Sequence, residues 1–141
     1  LSTAGETVID REGWLRVAQD RGLAGLGDSF VNLVYSTAKT RSLNKPVGER
    51  VPDKVLALAL RMAELPYPAR LNSGERGDLA EATLAYAWMN NAVSLEEAVT
   101  IVCTSISGRL DTASQEREAS ARAFSSLLRL AVSRMGLSQR E

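Results

Sequence analysis

An all-α fold of about six helices, in one domain spanning residues 1–141, is predicted by three features of this sequence. No stretch shows the sustained alternation of apolar and polar residues that a half-buried strand requires. The apolar runs instead recur at helical spacing, as Leu26, Phe30, Leu33 and Val34 do. Capping residues and turn-rich segments separate these runs at intervals that suit helices of ordinary length.

Residues 1–9 read as a loose start. Asp10 is placed to cap a short amphipathic helix through Asp20, with Trp14, Leu15, Val17 and Ala18 inward, and Gly22 ends it. The first long helix is predicted from about Leu26 to Ser42, stopping before the turn-rich Asn44-Lys45-Pro46-Val47-Gly48. Pro52 suits the first position of a third helix, which carries Val55, Leu56, Leu60 and Met62 to about Glu64. Leu65-Pro66-Tyr67-Pro68 breaks the pattern, and residues 72–77 read as a polar, flexible approach to a fourth helix from Asp78 to Asn90. Ser94-Leu95-Glu96-Glu97 has capping-box spacing and opens a fifth helix over 95–106, closed by Gly108. Asp111 or Thr112 caps a last helix to about Met135, Gly136 terminates it, and the tail from Ser138 is expected to fray.

Composition bounds the chemistry. A hydrophobic content of 45% is enough for a real core in 141 residues. No apolar run approaches the length of a membrane span, and Leu1 to Asp10 lacks a signal-peptide pattern, so a cytoplasmic protein without a membrane partner is expected. The chain has no histidine, which excludes imidazole-based triads, histidine-ligated zinc and a histidine general base. Cys103, the single cysteine, lies in an apolar run and reads as a small core residue. Any catalysis must then use carboxylates, lysine or a hard cation such as Mg²⁺ on oxygen ligands. With 17 basic and 17 acidic residues there is no global positive field, although Lys39, Arg41, Lys45, Arg50 and Lys54 cluster locally.

Two acidic stretches stand out. Leu23 to Tyr35 delivers Asp28 and Ser29 to the mouth of the first long helix, where either side chain has an ordinary explanation as a cap. Some fifty residues later Asp78 and Glu81 lie three apart, on one face of a helix that is otherwise apolar almost all round, including Trp88 and Met89. Like charges beside a buried helix repel and lose hydration unless a cation compensates them. Bound metal would supply that compensation.

Leu26-Gly27-Asp28-Ser29 followed by Asp78-x-x-Glu81-Ala82, on two helices in this order, resembles the signatures of the ribonuclease III catalytic domain. The resemblance spans roughly residues 20–110. It implies an all-helical homodimer that cleaves double-stranded or structured RNA with Mg²⁺ or Mn²⁺, with Asp28, Asp78 and Glu81 as metal-holding catalytic acids. Asn32, one turn beyond Asp28, and Ser29 are the supporting residues, and Lys45, Arg50 and Arg76 are the expected phosphate contacts.

Two departures from the family pattern accompany it. Ala24 stands where a metal-holding glutamate is usual, and Gly25 where an aromatic packs into the partner subunit. Glu49, Asp53 or Glu75 could replace the missing acid, and spacing selects none of them. Residues 111–141 predict one helix and no sheet, so RNA affinity is expected to rest on the catalytic domain and on dimerisation. The alternative is an RNA-binding or assembly protein that keeps the fold without cleavage. A nucleotide phosphate cradled by Gly22 to Gly27 is disfavoured, because Asp28 would face it and no lysine follows in the loop.

Overall fold

A computed structural model describes residues 9–108 and 111–137. The expected loose start, up to residue 8, and the tail from Ser138 lie outside them. Among the described residues there are six helices and no strand: α1 (Arg11–Ala18), α2 (Arg21–Leu43), α3 (Asp53–Met62), α4 (Ser73–Met89), α5 (Leu95–Ile106) and α6 (Ala113–Arg134).

Local chemistry explains where the helices begin. Asp10 caps α1 through the Gly13 N–H, while α5 and α6 open on reciprocal capping boxes, Ser94 with Glu97 and Thr112 with Gln115. Asn44 and Asn91, at φ 55° and 61°, close α2 and follow α4 in the left-handed conformation that asparagine tolerates, and Gly136 does the same after α6 at φ 79°. The backbone N–H of Ile9 donates to the Met135 carbonyl at 2.8 Å, which ties the beginning of the described chain to its end.

Two starts differ from the sequence expectation. The second helix begins at Arg21 rather than Leu26, because Asp20 takes the cap by accepting from the Leu23 N–H at 3.0 Å. Gly22 therefore lies inside α2 instead of ending α1, and Asp28 sits two turns into the helix. The fourth helix begins at Ser73 rather than Asp78. Asn72 and Glu75 form a capping box, so the supposed flexible approach is the first turn of α4, and Asp78 and Glu81 fall in its interior.

The helix α4 runs through the middle of the molecule and packs against α1, α2, α3 and α6. Trp14 of α1 is fully buried on it, its indole N–H donating to Thr83 Oγ1 at 2.7 Å, and the Thr83 hydroxyl donates in turn to the Leu79 carbonyl. Leu56, Leu60, Leu84, Phe124, Leu127 and Leu128 fill one shared core. The expected burial fails at two places: Trp88 and Met89 emerge at the end of α4, 38% and 53% exposed, and Leu26 and Leu33 lie on the outer face of α2. No helix among the described residues is long and apolar enough to cross a membrane.

Candidate active site

The centre of the site is made by an absent side chain. Gly27 is buried where α2 crosses α4, and a Cβ built on it would lie 2.0 Å from the Glu81 carbonyl oxygen and 2.4 Å from its carbonyl carbon. Only glycine lets the two backbones approach this closely. The approach sets Asp28, the next residue, beside the side chain of Glu81. There Asp28 acts on Glu81 as a hydrogen-bond partner for its protonated form and as a like charge.

Glu81 is 6% exposed, with carboxylates for its ionisable neighbours. Burial first, then the hydrogen bond and charge of Asp28, then the charges of Asp78 and Asp53, push its carboxyl up to about 8. Asp28 is half-buried. Its Oδ1 accepts from Asn32 Nδ2 at 3.2 Å and from Arg50 Nη2 at 3.1 Å. Asn32 also accepts the Val51 backbone N–H at 2.7 Å, so one amide side chain holds the aspartate on α2 to the loop that enters α3. Asp78 is exposed at the cleft wall one turn before Glu81.

These acids line a cleft of about 700 Å³ between the end of α1, the start of α2, the beginnings of α3 and α4, and the connection around Pro68. Ala24 and Gly25 of α2 line it too, presenting no more than a methyl group and a bare backbone. Asp53 at the start of α3 belongs to the same cleft, and so do Arg21 and Arg70, which sequence reasoning did not single out. Neither arginine makes an ion pair among the described residues.

The structure brings together Asp28, Asp78, Glu81, Asn32 and Arg50. Ser29 is exposed on α2 away from the cleft lining, and Lys45 lies beyond the C-terminal end of α2. Arg76 is half-buried, with Nη1 donating to the Leu71 carbonyl at 2.6 Å and its Nε without a partner, and it does not line the cleft. The local basic cluster is largely neutralised: Lys39 pairs with Glu49 and Glu116, and Arg41 with Glu96.

The donor set of three carboxylates matches the hard-oxygen preference of Mg²⁺ or Mn²⁺, and a buried carboxyl surrounded by like charges is the group a cation would relieve. As the side chains stand, no three acids among the described residues converge on one point. Arg50 is the cation now on Asp28, through a contact whose guanidinium is 74% exposed. The residue types gathered in the cleft suit a divalent ion, with Asp28, Asp78 and Glu81 as the acids that would hold it.

The sequence matches the Ribonuclease III family model over residues 21–137, a range that includes α2 to α6 and the whole carboxylate cluster. No curated protein matches the chain. With a fold of helices alone and its acids held at the crossing of α2 and α4, the chain belongs to the ribonuclease III family, whose members are endoribonucleases acting on double-stranded RNA.

Proposed function

We propose that this protein is a divalent-metal-dependent endoribonuclease that hydrolyses phosphodiester bonds in double-stranded or structured RNA, with Asp28, Asp78 and Glu81 as its metal-holding acids. One observation carries the proposal: a carboxylic acid buried in the middle of an apolar helix is pressed against a second one through a glycine that only close approach explains. Mg²⁺ or Mn²⁺ bound there supplies charge stabilisation at the phosphate and a low pKa for the attacking water. Asn32 holds Asp28 in place through its amide. Glu81 and Asp28 would hold the cation together, Glu81 in its ionised form, since a cation would neutralise two carboxylates that otherwise oppose each other. Arg50 leaves Asp28 at little cost, since so exposed an ion pair is worth at most about 1 kcal/mol, and turns to the RNA backbone. Arg21 and Arg70 offer the cleft the positive charge that a neutral chain otherwise lacks.

The same reading takes the protein as a cytoplasmic homodimer. Leu26 and Leu33 lie four residues before and three after Phe30 on α2, and Phe30 stacks on Trp88 with ring centroids 5.4 Å apart. Together with Met89 they form an exposed apolar surface across α2 and α4, suited to a second copy of the chain.

A non-catalytic RNA-binding role is favoured by the arginine on Asp28 and by Ala24. Cleavage of a long RNA duplex at low salt in Mg²⁺ and then Mn²⁺ separates the two. Cutting by the native protein that disappears in Glu81→Ala and in Asp28→Asn is the expected result. Duplex binding without cutting would overturn the enzyme in favour of the binding protein.

A further inference from the structure

We propose that Asp53, the first residue of α3, is the fourth carboxylate of the metal site and replaces the acid missing at Ala24. The inference rests on the metal-dependent reading above and deepens it. Ala24 lines the cleft one turn before Asp28 but carries only a methyl group, so any further oxygen ligand must come from another wall.

Four other acids come into question, and the structure engages three of them elsewhere. Glu49 is held by Lys39 at 2.7 Å and does not line the cleft. Asp20 and Glu75 do line it, but each is occupied with a helix start: Asp20 accepts the Leu23 N–H, and Glu75 accepts the Asn72 N–H in the capping box of α4. Asp53 remains. It lines the cleft, and its side chain makes no hydrogen bond or ion pair among the described residues.

Backbone packing fixes its position. The Asp53 carbonyl oxygen lies 3.6 Å from where a Cβ on Gly77 would stand, so the first turn of α3 rests on the turn of α4 immediately before Asp78. Asp53 and Asp78 thereby flank the cleft from adjoining helices, with Glu81 one turn further along α4, within reach of the charge of Asp53. An acid in the first turn of a helix also has a purely local use, in the favourable field of the helix N-terminus. Metal affinity distinguishes the two roles, because the local one affects folding alone.

The test is calorimetric titration of Mn²⁺ into the full chain at neutral pH, with melting temperatures recorded in the absence of metal. Asp53→Asn is expected to weaken Mn²⁺ binding on the order of tenfold or more, whereas Glu49→Gln and Glu75→Gln stay within about twofold of the native protein, the range outside any ligand role. Asp53→Ser, with a residue that suits helix starts, is expected to weaken binding as Asp53→Asn does and so guards against a folding effect. Ala24→Glu added to Asp53→Asn is expected to recover the affinity, since it returns a carboxylate to the same cleft. Native affinity in folded Asp53→Asn would overturn the inference while leaving the metal site standing. No Mn²⁺ uptake by the native chain would overturn the metal-dependent reading and this inference with it.

Discussion

Replacing Gly27 by alanine tests the contact on which the site depends. The added Cβ would sit 2.0 Å from the Glu81 carbonyl oxygen, against an ordinary van der Waals contact of 3.4–4 Å, so α2 and α4 must separate there by roughly 1.4 Å. Over-packing where side chains can yield typically costs about 1–3 kcal/mol. Here the obstacle is backbone in the middle of a helix, which places the cost at the upper end of that range, about 3 kcal/mol. The intrinsic gain of alanine over glycine in a helix, about 1 kcal/mol, offsets only part of it. Gly25 is the internal control: two residues earlier on α2, it is exposed, and a Cβ there meets nothing within 4 Å. Gly25→Ala should therefore stabilise the protein by about 0.5–1 kcal/mol. In urea denaturation followed by circular dichroism, Gly27→Ala is expected to lower the midpoint by about 1 M or more, and Gly25→Ala to raise it slightly. The same separation pulls Glu81 away from Asp28, so Mn²⁺ affinity should fall as well. A Gly27→Ala midpoint equal to or above that of the native protein would refute the close-approach argument.

Glu81 makes the metal-free protein sensitive to pH. Its folded pKa is raised to about 8, so its favourable contribution is complete below the ordinary carboxylate value and is lost as pH rises through 8. Thermal melts in chelator should show stability falling between about pH 5 and pH 8.5; Glu81→Gln should flatten that slope and melt higher than the native protein at the alkaline end, and a flat native profile would contradict the burial of a protonated Glu81. Thr83→Val removes the acceptor of the buried Trp14 indole N–H and is expected to cost about 1–3 kcal/mol, read from the urea midpoint. Leu33→Asp, which puts a charge into the apolar surface of α2 without touching the core, is expected to convert a dimer to a folded monomer in light scattering; a monomeric native protein would refute that surface as an interface.

How much of this was readable from the chain depends on how local the cause is. Asp10, the Ser94–Glu97 pair, Thr112 and Gly136 act within one helical turn, and each marks in the structure the boundary that the sequence predicts. The spacing of Asp78 and Glu81 likewise places both on α4, because helical geometry alone decides it. Gly22 misled, since glycine reads as a helix breaker, and the reason for glycine at position 27 is a carbonyl on another helix. Asn72 and Glu75 form the same kind of box as Ser94 and Glu97, yet the glycines at 74 and 77 made that stretch read as a loop. Asp53 comes to the cleft, and Arg50 to Asp28, through the path of the chain from α2 into α3, which periodicity does not encode.

The corrected helix starts change the meaning of the acids. At the mouth of a helix Asp28 would have had orphan backbone N–H groups to satisfy, and a cap would have been explanation enough. Two turns inside α2 those donors are already used, and Asp28 is left with Asn32, Arg50 and its neighbour Glu81. Glu81 is similarly deprived, since Asn72 and Glu75 have moved the start of α4 two turns upstream of it. Neither acid caps the helix that carries it, and Glu81 destabilises the metal-free fold at neutral pH by remaining protonated where the unfolded chain would ionise. A divalent cation in place of that proton would remove the penalty, so the proposed metal site predicts that the stability it costs the metal-free chain would reappear as metal-induced stabilisation of the folded one.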